Sequence, residues 1–411
     1  MESSIFDDTT NAKSPTESIL NKTAPPEKFQ LKTLLSGEIE MATESANRFY
    51  VKDDVNKILI DRNIALENYA DAALHIIRFL AGFSTPLPQV IVHRVVHGGP
   101  GLRQHGFIND KMLRQLESTT AFAPLHNEAA LSIIRFTRVK FPGLPQVVCF
   151  DTTFHHDMPD VAKVLPISKQ FNSISIQRYG FHGLSCESIV SQLGNLLPEK
   201  LIIAHLGNGS SITAVKNGKS VDTTMGLTPS GGLMMGTRSG DIDPGVLIYL
   251  MREKNQDLAS IEALINHQSG LLGVSGLSSD MRILHKVAAS NTDAQLAIEL
   301  FCYSAAKHIA AMISVLNGLD LLVFTGGIGE HDCLVRTKIC IQLAFIGISL
   351  DAEKNESMRN EHCVNTISNA SSRVSVAVMR SNENVQMAHH TWALLSHHAH
   401  PPMLNFGYLQ S

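Results

Sequence analysis

The chain has 411 residues, of which 44% are hydrophobic and 18% charged, and its formal net charge is −4. This length exceeds what a single hydrophobic core ordinarily serves, so two domains are expected. The charge balance provides no basic surface for nucleic acid, and no apolar run approaches the length needed to cross a bilayer. Six scattered cysteines without a Cys-x-x-Cys pair indicate reduced thiols in a cytoplasmic protein.

The predicted elements alternate between helices and strands along the chain. Residues 1–27 are rich in Ser, Thr, Asp, Asn and Pro, which predicts a disordered tail, and residues 59–80 are predicted to be helical. A long helix is predicted at "DAQLAIELFCYSAAKHIAAMISVLNG", with Asn317-Gly318 as its end. Four apolar strands each run into a polar loop, at "PQVIVHRVVHGG", "LPQVVCFDTTFHHDMP", "KLIIAHLGNGSS" and "LDLLVFTGGIGE". This alternation indicates an α/β architecture, in which the strand ends carry the functional site.

Two of these loops are rich in glycine. "AHLGNGSS" follows the third strand, and "TGGIGEH" follows the fourth. A tight turn is one interpretation, because Gly and Asn adopt positive φ readily. The other is a phosphate-binding loop, because glycine lets backbone N–H groups approach an anion. Neither loop matches the G-x-x-x-x-G-K-[ST] pattern or a dinucleotide-binding fingerprint, so both of those folds are disfavoured.

Isolated charged residues follow or interrupt the apolar segments. Arg94 lies inside a strand and could bind an anion or form an ion pair, and Asp151 could hold Mg²⁺ or cap a turn. His182 in "RYGFHG" could be catalytic or structural, and Arg238 in "MGTRSGDIDPG" could reach a ligand or be an exposed loop charge. Two glycine loops with isolated Arg, Asp and His residues together suit phosphoryl transfer, which needs backbone donors, cations and a divalent metal.

Taken together, the segments resemble the acetate kinase family, within the acetate and sugar kinase/actin superfamily. The matching stretches occur in order from about residue 90 to 385: "HRVVHGG", "APLHN", "FDTTFHHDMP", "RYGFHG", "AHLGNGSSITAVKNGKSVDTTMGLTP", "MGTRSGDIDPG", "SGLLGVSGLSSDMR", "FTGGIGE" and "SNENV". The resemblance implies an α/β fold of two ribonuclease-H-like domains with an interdomain active-site cleft. Residues 28–150, with a C-terminal helix at about 385–400, would form the acyl-substrate domain, and residues 151–384 the nucleotide-binding domain.

The resemblance also implies the reaction, in which ATP and acetate give ADP and acetyl phosphate reversibly, with Mg²⁺ and in a homodimer. Arg94 would hold the acetate carboxylate, while Asp151, His182 and Arg238 would be catalytic, and Glu383 would bind the metal. The apolar acyl pocket would comprise Val96, Leu125, Phe181 and Pro229. The nucleotide-binding segments would be His205, Leu206, Gly207, Asn208, Gly209, Asp280, Met281, Arg282, Gly326, Gly327, Ile328, Gly329 and Glu330. A carboxylic acid of pKa near ~4 is already ionised at pH 7, so Asp151 is expected to position metal or substrate rather than to act as a base.

The sequence departs from the family at its N-terminus. The family's first strand and Asn-x-Gly-Ser-Ser-Ser-x-Lys loop are missing or degenerate here, because no glycine precedes Gly37. Leu184, Cys186 and Asn384 also replace the usual residues. Two other functions therefore remain open: a propionate or other short-chain acyl kinase, and a catalytically impaired nucleotide-binding homologue. Five histidines between residues 389 and 400 could bind metal, but a solvated helix end is favoured.

Overall fold

A computed structural model describes residues 2–7, 31–40, 47–83, 88–122, 124–171, 176–358 and 363–397. The chain divides into two compact units. Unit 1 comprises residues 1–92, 129–146 and 387–411, and unit 2 comprises residues 93–128 and 147–386.

Unit 1 contains a four-stranded antiparallel sheet with the strand order β1-β2-β3-β4. Its strands are β1 (Glu2–Asp7), β2 (Lys32–Glu40), β3 (Asn47–Asp53) and β4 (Ile58–Ile64). Helix α1 (Tyr69–Ala81) begins at a capping box formed by Asn68 and Asp71. Its Ala72 packs with Leu35, Ile39, Phe49 and Val51 of the sheet, so one face of the sheet is buried against the helix.

Two expectations for this region are corrected. Residues 2–7 form a strand rather than part of a tail, because β2 supplies antiparallel backbone partners from Lys32 to Glu38. Residues 58–64 are a strand rather than the start of a helix, because β4 pairs with β3 over nearly its whole length. Composition and apolar spacing do not reveal such long-range pairing. Residues 8–30, which include most of the predicted tail, lie outside the described residues.

Unit 2 is built on a six-stranded mixed sheet with the order β10-β9-β8-β11-β13-β12. The strands are β8 (Lys200–Leu206), β9 (Ser210–Lys216), β10 (Lys219–Thr223), β11 (Leu321–Thr325), β12 (Asn365–Thr366) and β13 (Ser375–Val378). β8 is parallel to β11 and antiparallel to β9. Alternate residues of β8 enter two different core clusters, so both faces of the sheet are covered. This arrangement confirms the α/β architecture expected from the sequence.

A shorter sheet, ordered β5-β7-β6, carries the first two predicted strand-to-loop segments. Its strands are β5 (Ile91–Val95), β6 (Gly106–Phe107) and β7 (Gln146–Phe150). All five side chains of β7 are buried, which explains its continuous apolar sequence.

The remaining helices surround these sheets. They are α2 (Asp110–Ser118), α3 (Pro124–Lys140), α4 (Asp160–Lys163), α5 (Gly183–Leu193), α6 (Pro244–Glu253), α7 (Leu258–His267), α8 (Gly270–Ser275), α9 (Met281–Val287), α10 (Thr292–Leu316), α11 (Gly326–His331), α12 (Cys333–Gln342), α13 (Ala352–Glu356) and α14 (Glu383–His397).

Helix α10 is the long helix predicted from the sequence, and Asn317 ends it in the left-handed conformation, as expected. With 25 residues, it is long and apolar enough to cross a membrane, contrary to the expectation that no segment reaches this length. Ten of its side chains are nevertheless buried in the main core of unit 2. The apolar character of α10 is therefore accounted for by packing against the sheet.

Candidate active site

All of the residues predicted for the site lie in unit 2. Three of them form an ionic cluster. Arg94 on β5 donates from Nε and Nη2 to both carboxylate oxygens of Asp151, at 2.8 to 3.2 Å. Its Nη1 donates to Oε2 of Glu383, the first residue of α14. The structure therefore brings together one predicted substrate-binding residue, one catalytic residue and the predicted metal ligand, which are separated by up to 289 positions in sequence.

Local backbone contacts fix the position of Asp151. This residue directly follows β7, and its N–H donates to the carbonyl of Val95 at 3.1 Å. Its own carbonyl accepts a hydrogen bond from Gly183 at 2.8 Å, and a Cβ on Gly183 would lie only 2.3 Å from that oxygen. Only glycine therefore fits after His182. The Asp151 side chain is 2% exposed, so its charge depends on the guanidinium of Arg94 for compensation.

Asp151 and Glu383 are suited to a divalent metal by their chemistry. Both are carboxylates that converge on one guanidinium, so their oxygens lie near each other. Carboxylate oxygens are the hard donors that Mg²⁺ prefers. The residues present therefore fit the metal that the sequence resemblance implies.

His182 lies at the start of α5 and has a left-handed backbone, with φ of 58°. Its Nδ1 forms a hydrogen bond of 3.0 Å with the hydroxyl of Ser211 on β9. Its ring stacks on that of His205, with a centroid distance of 4.1 Å. Burial holds the pKa of His182 well below its usual range, and electrostatic interaction with His205, Arg94 and Arg238 lowers it further. His182 is therefore a neutral imidazole at pH 7.

His205 is held in place by a second hydrogen bond. Its Nδ1 lies 2.8 Å from the hydroxyl of Ser185, which is fully buried on α5. Burial lowers the pKa of His205 to about 4, and the positive charge of Arg94 contributes to the shift. Ser185 on α5 thus orients the ring of His205, and Ser211 on β9 orients the ring of His182. Sequence reasoning missed both serines, because hydroxyl residues beside a strand or helix have no distinctive pattern.

Gly209 places the first glycine loop against the predicted catalytic side chains. A Cβ at this position would lie 3.3 Å from Nε2 of His182 and 3.5 Å from Nη1 of Arg238. Nη1 of Arg238 also donates to the carbonyl of Pro229 at 3.2 Å. His182, Arg238 and the loop therefore meet at one point, the carboxyl end of β8. Burial lowers the pKa of Arg238 from its ordinary value, although the group stays charged at neutral pH.

The two glycine loops lie side by side because of the sheet register. His205 on β8 is paired with Thr325 on β11, so both loops leave the same edge of the sheet. The backbone N of Gly327 lies 3.8 Å from where a Cβ of Gly207 would be. Gly326 has φ of 77°, and a Cβ there would lie 2.7 Å from the carbonyl oxygen of Leu206. Close packing of the two backbones thus requires glycine at position 326. At Gly327, by contrast, no heavy atom lies within 4 Å of where a Cβ would be.

Asn208 joins the first loop to the segment that carries Arg238. Its carbonyl accepts a hydrogen bond from Gly236 at 3.1 Å. A Cβ on Gly236 would lie 2.0 Å from Oδ1 of Asn208, so a larger residue at position 236 would displace the Asn208 side chain. Ile328 packs against the main core cluster.

Glu330, the acidic residue of the second loop, is bound to the protein backbone. Glu330 is buried, and its Oε1 accepts hydrogen bonds from the N–H groups of Gly326 and Ser381, at 3.2 and 3.3 Å. Burial raises the pKa of Glu330, and the N–H of Ser381 partly opposes the rise. The carboxyl group of Glu330 therefore links the start of the second glycine loop, at Gly326, to the segment at Ser381.

Arg336 is a further determinant of this loop that sequence reasoning missed. This fully buried side chain on α12 donates to the carbonyls of Gly329 and Glu330, at 2.9 and 3.0 Å. It also donates to the side chain and the carbonyl of Asn355. The guanidinium thereby satisfies the terminal carbonyls of α11 and anchors the loop to α12 and α13. An arginine within an amphipathic helical pattern suggests an exposed position, and only the tertiary contacts show otherwise.

Asp280, Met281 and Arg282 lie at the start of α9. Asp280 caps the helix and accepts hydrogen bonds from the guanidinium of Arg282, which is 87% exposed. Within the described part of the chain, the guanidinium of Arg282 donates hydrogen bonds only to Asp280. Met281 is buried in the core. The structure therefore does not join these side chains to the glycine loops by hydrogen bonds.

An apolar cluster lies beside the ionic cluster. Phe181 is buried with Met225 and Met235, and Val96 packs against them. Pro229 is buried next to Arg238. The side chain of Leu125 lies outside the described residues. The two methionines were not predicted, although Met225 belongs to the long stretch that resembles the family.

His97 supports this cluster from behind. Its ring is fully buried, lies 5.4 Å from that of Phe181, and accepts a hydrogen bond from the N–H of Gly99. Its other nitrogen lies 3.2 Å from the carbonyl of Leu227, and burial lowers its pKa to about 4. Asn127 donates to the carbonyl of His97. A neutral His97 therefore connects the segments that carry Val96, Phe181 and Pro229.

A sequence profile described as the Acetokinase family matches residues 15–389. The chain belongs to this family. It is 38% identical over 372 residues to an acetate kinase of Campylobacter jejuni subsp. doylei, covering 88% of this chain and 93% of the relative. It is also 44% identical over 306 residues to a propionate kinase of Citrobacter koseri, covering 73% and 76% of the two chains. Membership confirms the resemblance inferred from the nine sequence segments.

Solved structures of the same family match the fold. The acetate kinase of Porphyromonas gingivalis superimposes with a TM-score of 0.80 at 34% identity, covering 90% of this chain and 95% of that one. A propionate kinase of Francisella tularensis gives 0.81 at 37% identity, covering 87% and 92%. These matches confirm the fold class of two ribonuclease-H-like domains expected for the family, and the chain is accordingly a nucleotide-binding kinase.

Proposed function

We propose that this member of the acetokinase family catalyses reversible phosphoryl transfer between ATP and acetate. The observation that carries the proposal is the convergence of Gly209, His182 and Arg238 at the carboxyl end of β8. Phosphoryl transfer requires cations and hydrogen-bond donors around a moving phosphoryl group, and this point supplies both. The adjacent backbone of the second glycine loop suits the phosphates of the nucleotide.

Each charged side chain has a distinct proposed role. The guanidinium of Arg238 stabilises negative charge on the phosphoryl group in the transition state, and neutral His182 stabilises it by hydrogen bonding from Nε2. That nitrogen points towards Gly209, since Nδ1 is engaged by Ser211. Arg94 binds the carboxylate of acetate by a bidentate contact.

Asp151 and Glu383 would hold Mg²⁺, which supplies positive charge to the phosphate oxygens when bound. The single guanidinium of Arg94 balances only one of the two carboxylate charges, so a divalent cation held by Asp151 and Glu383 would compensate the negative charge that remains. Acetate is ionised at neutral pH and needs no general base. Asp151 therefore acts by positioning, through the metal and through Arg94.

The apolar residues beside Arg94 set the size of the acid. Val96, Phe181 and Pro229, with Leu125, are proposed to enclose the methyl group of acetate. A propionate kinase is the second candidate, because relatives of similar identity carry that name. One methylene group is worth only about 1–3 kcal/mol of discrimination, so both acids are expected to react at different rates.

Division of labour along the chain follows from the same proposal. Residues 28–150, with the C-terminal helix α14, are proposed to serve the acyl substrate, and residues 151–384 are proposed to serve the nucleotide and to contribute Phe181 and Pro229 to the acyl pocket. A cytoplasmic location is supported by the cysteines, all six of which are free thiols.

A homodimer is proposed, with α6 as part of its interface. No residue of α6 is buried, and the helix carries large apolar side chains. Ile248, Tyr249 and Met251 are 53%, 55% and 45% exposed. Exposed apolar surface of this kind marks interaction sites. Antiparallel pairing with α6 of a second copy would place Asp243 at one helix end against Arg252 at the other. Ile248→Glu should produce a monomer in light scattering, whereas Val139→Glu, at a 77% exposed site in unit 1, should not.

A coupled assay of ADP formation, together with calorimetry of ADP binding, tests the proposed activity. Turnover with acetate that depends on Mg²⁺ is the expected result. Binding of ADP without turnover on acetate or propionate would instead support the impaired homologue. Absence of both would overturn the proposal.

A further inference from the structure

A second polar cavity lies in unit 2, outside the site described above. It has a volume of about 50 Å³ and is enclosed by the segments 99–103, 152–156 and 177–179, together with Lys163. Three side chains on its lining are cationic, Arg103, Lys163 and Arg178, and two are histidines, His155 and His156. None of the described residues that line it is acidic. The cavity therefore presents a concentration of positive charge to whatever occupies it.

Arg178 gives this cavity a rigid wall. Its Nε donates to the carbonyl of Ala162 at 3.0 Å, and its Nη1 donates to the carbonyls of Thr223 and Thr224, both at 2.8 Å. Its Nη2 has no hydrogen-bond partner among the described residues. The guanidinium is thus fixed by backbone on one side and retains donors on the other. A preorganised donor of this kind binds an anion without loss of side-chain entropy.

Arg103 and Lys163 supply further donors. Nε of Arg103 donates to the carbonyl of Pro100, and its two terminal nitrogens have no partner in the described part of the chain. Nζ of Lys163 lies 3.5 Å from a carboxylate oxygen of Asp160, whose side chain is 91% exposed. An exposed pair of this kind contributes little and is easily exchanged for a better partner.

Three carboxylates lie next to these bases but not on the lining. Asp157 pairs with His156, Asp160 with Lys163, and Asp222 lies 3.9 Å from Nε of Arg178. Burial raises the pKa of Asp222, against the influence of Arg178. Asp222 faces the side of the guanidinium that is already bonded to backbone, so it does not satisfy Nη2.

We propose that this cavity binds a small oxyanion of the phosphate class. Several N–H donors converge from three chain segments, and the volume suits one tetrahedral oxyanion rather than a nucleotide. Thr152 lines the cavity directly after Asp151, and its hydroxyl accepts a hydrogen bond from Gly98. The oxyanion thus binds behind the turn that carries Asp151, separately from the glycine loops.

Calorimetric titration with inorganic phosphate tests this site on the full chain. The double variant Arg103→Gln/Lys163→Gln removes two charges and should weaken phosphate binding at least about tenfold, since hydrogen bonds to charged groups are the stronger class. A matched control, Lys216→Gln/Lys219→Gln, removes two charges from the exposed hairpin of β9 and β10 and should leave it unchanged. Retained melting temperature and ADP affinity would show that the first variant is folded.

The variant Arg238→Ala separates this cavity from the proposed active site. It should retain phosphate binding, because Arg238 does not line the cavity. Loss of binding in Arg238→Ala with retention in Arg103→Gln/Lys163→Gln would place the phosphate in the active site and overturn the proposal. No saturable binding by the unmodified chain would also overturn it.

Discussion

Gly327 offers a direct test of whether the second glycine loop approaches a phosphate. No heavy atom lies within 4 Å of where its Cβ would be, and its φ is outside the left-handed region. Gly327→Ala should therefore fold without strain. Alanine is also preferred over glycine in a helix by about 1 kcal/mol, so the free energy of unfolding should stay the same or rise.

The same substitution should weaken ADP binding. A methyl group on Gly327 would occupy the space through which the loop backbone approaches a phosphate. Loss of one hydrogen bond between a backbone N–H and a charged phosphate costs about 1.5–3 kcal/mol. This corresponds to a rise in the dissociation constant of roughly 10- to 150-fold. Calorimetry with ADP and chemical denaturation measure the two effects separately.

Two glycine variants serve as controls. Gly326→Ala should lose stability as well as affinity, because its Cβ would lie 2.7 Å from the carbonyl of Leu206 at a positive φ. Gly82→Ala, at the end of α1 in unit 1, meets only ordinary contacts beyond 3.5 Å and should change neither property. An unchanged ADP dissociation constant in Gly327→Ala would refute the phosphate-loop interpretation and leave the segment as a structural turn.

Four further predictions follow from the site. Arg238→Ala should lower kcat by about 10²–10³ with little change in KM for ATP, and a near-normal kcat would contradict its role. The value of kcat/KM should fall from acetate to propionate to butyrate, and a preference for butyrate would contradict the proposed pocket. Arg336→Met should lower the free energy of unfolding by about 3 kcal/mol or more, because buried carbonyls lose their donor, whereas Lys338→Met on the exposed face of α12 should have little effect in the same denaturation assay. His97 and His155 are buried, and their pKa is lowered from 6.5 to about 4. Between these two pH values the unfolded chain binds more protons than the folded chain, so the free energy of unfolding decreases as the pH is lowered from 6.5 towards 4. Each histidine should lower the free energy of unfolding by about 2 kcal/mol at pH 5, relative to its value above pH 6.5. Urea denaturation of His155→Gln should therefore show a smaller pH dependence than that of the unmodified chain.

Several features could be predicted from the sequence because they depend on local pattern. The apolar runs before "HLGNG" and "TGGIGE" indicated β8 and β11, and helical spacing indicated α10 with its end at Asn317. The family was evident from nine segments whose order and length leave little room for chance similarity. The α/β class and the kinase assignment followed from the sequence for this reason.

Other features depended on contacts between distant residues. β1 and β4 were not predicted, because a strand of mixed composition is stabilised by its partner strand rather than by its own sequence. The burial of Arg336 has the same origin, since its partners come from two other helices, Gly329 and Glu330 from α11 and Asn355 from α13.

The candidate site illustrates the same distinction. Sequence reasoning identified Arg94, Asp151 and Glu383 separately, but it could not show that one guanidinium joins both carboxylates. It also could not show that Ser185 and Ser211 orient the stacked imidazoles of His205 and His182. The sequence by itself determined the family and the residue types, because these are encoded in local motifs. Only the tertiary structure decided the charge partners and the protonation state of His182, because both depend on groups brought together by folding.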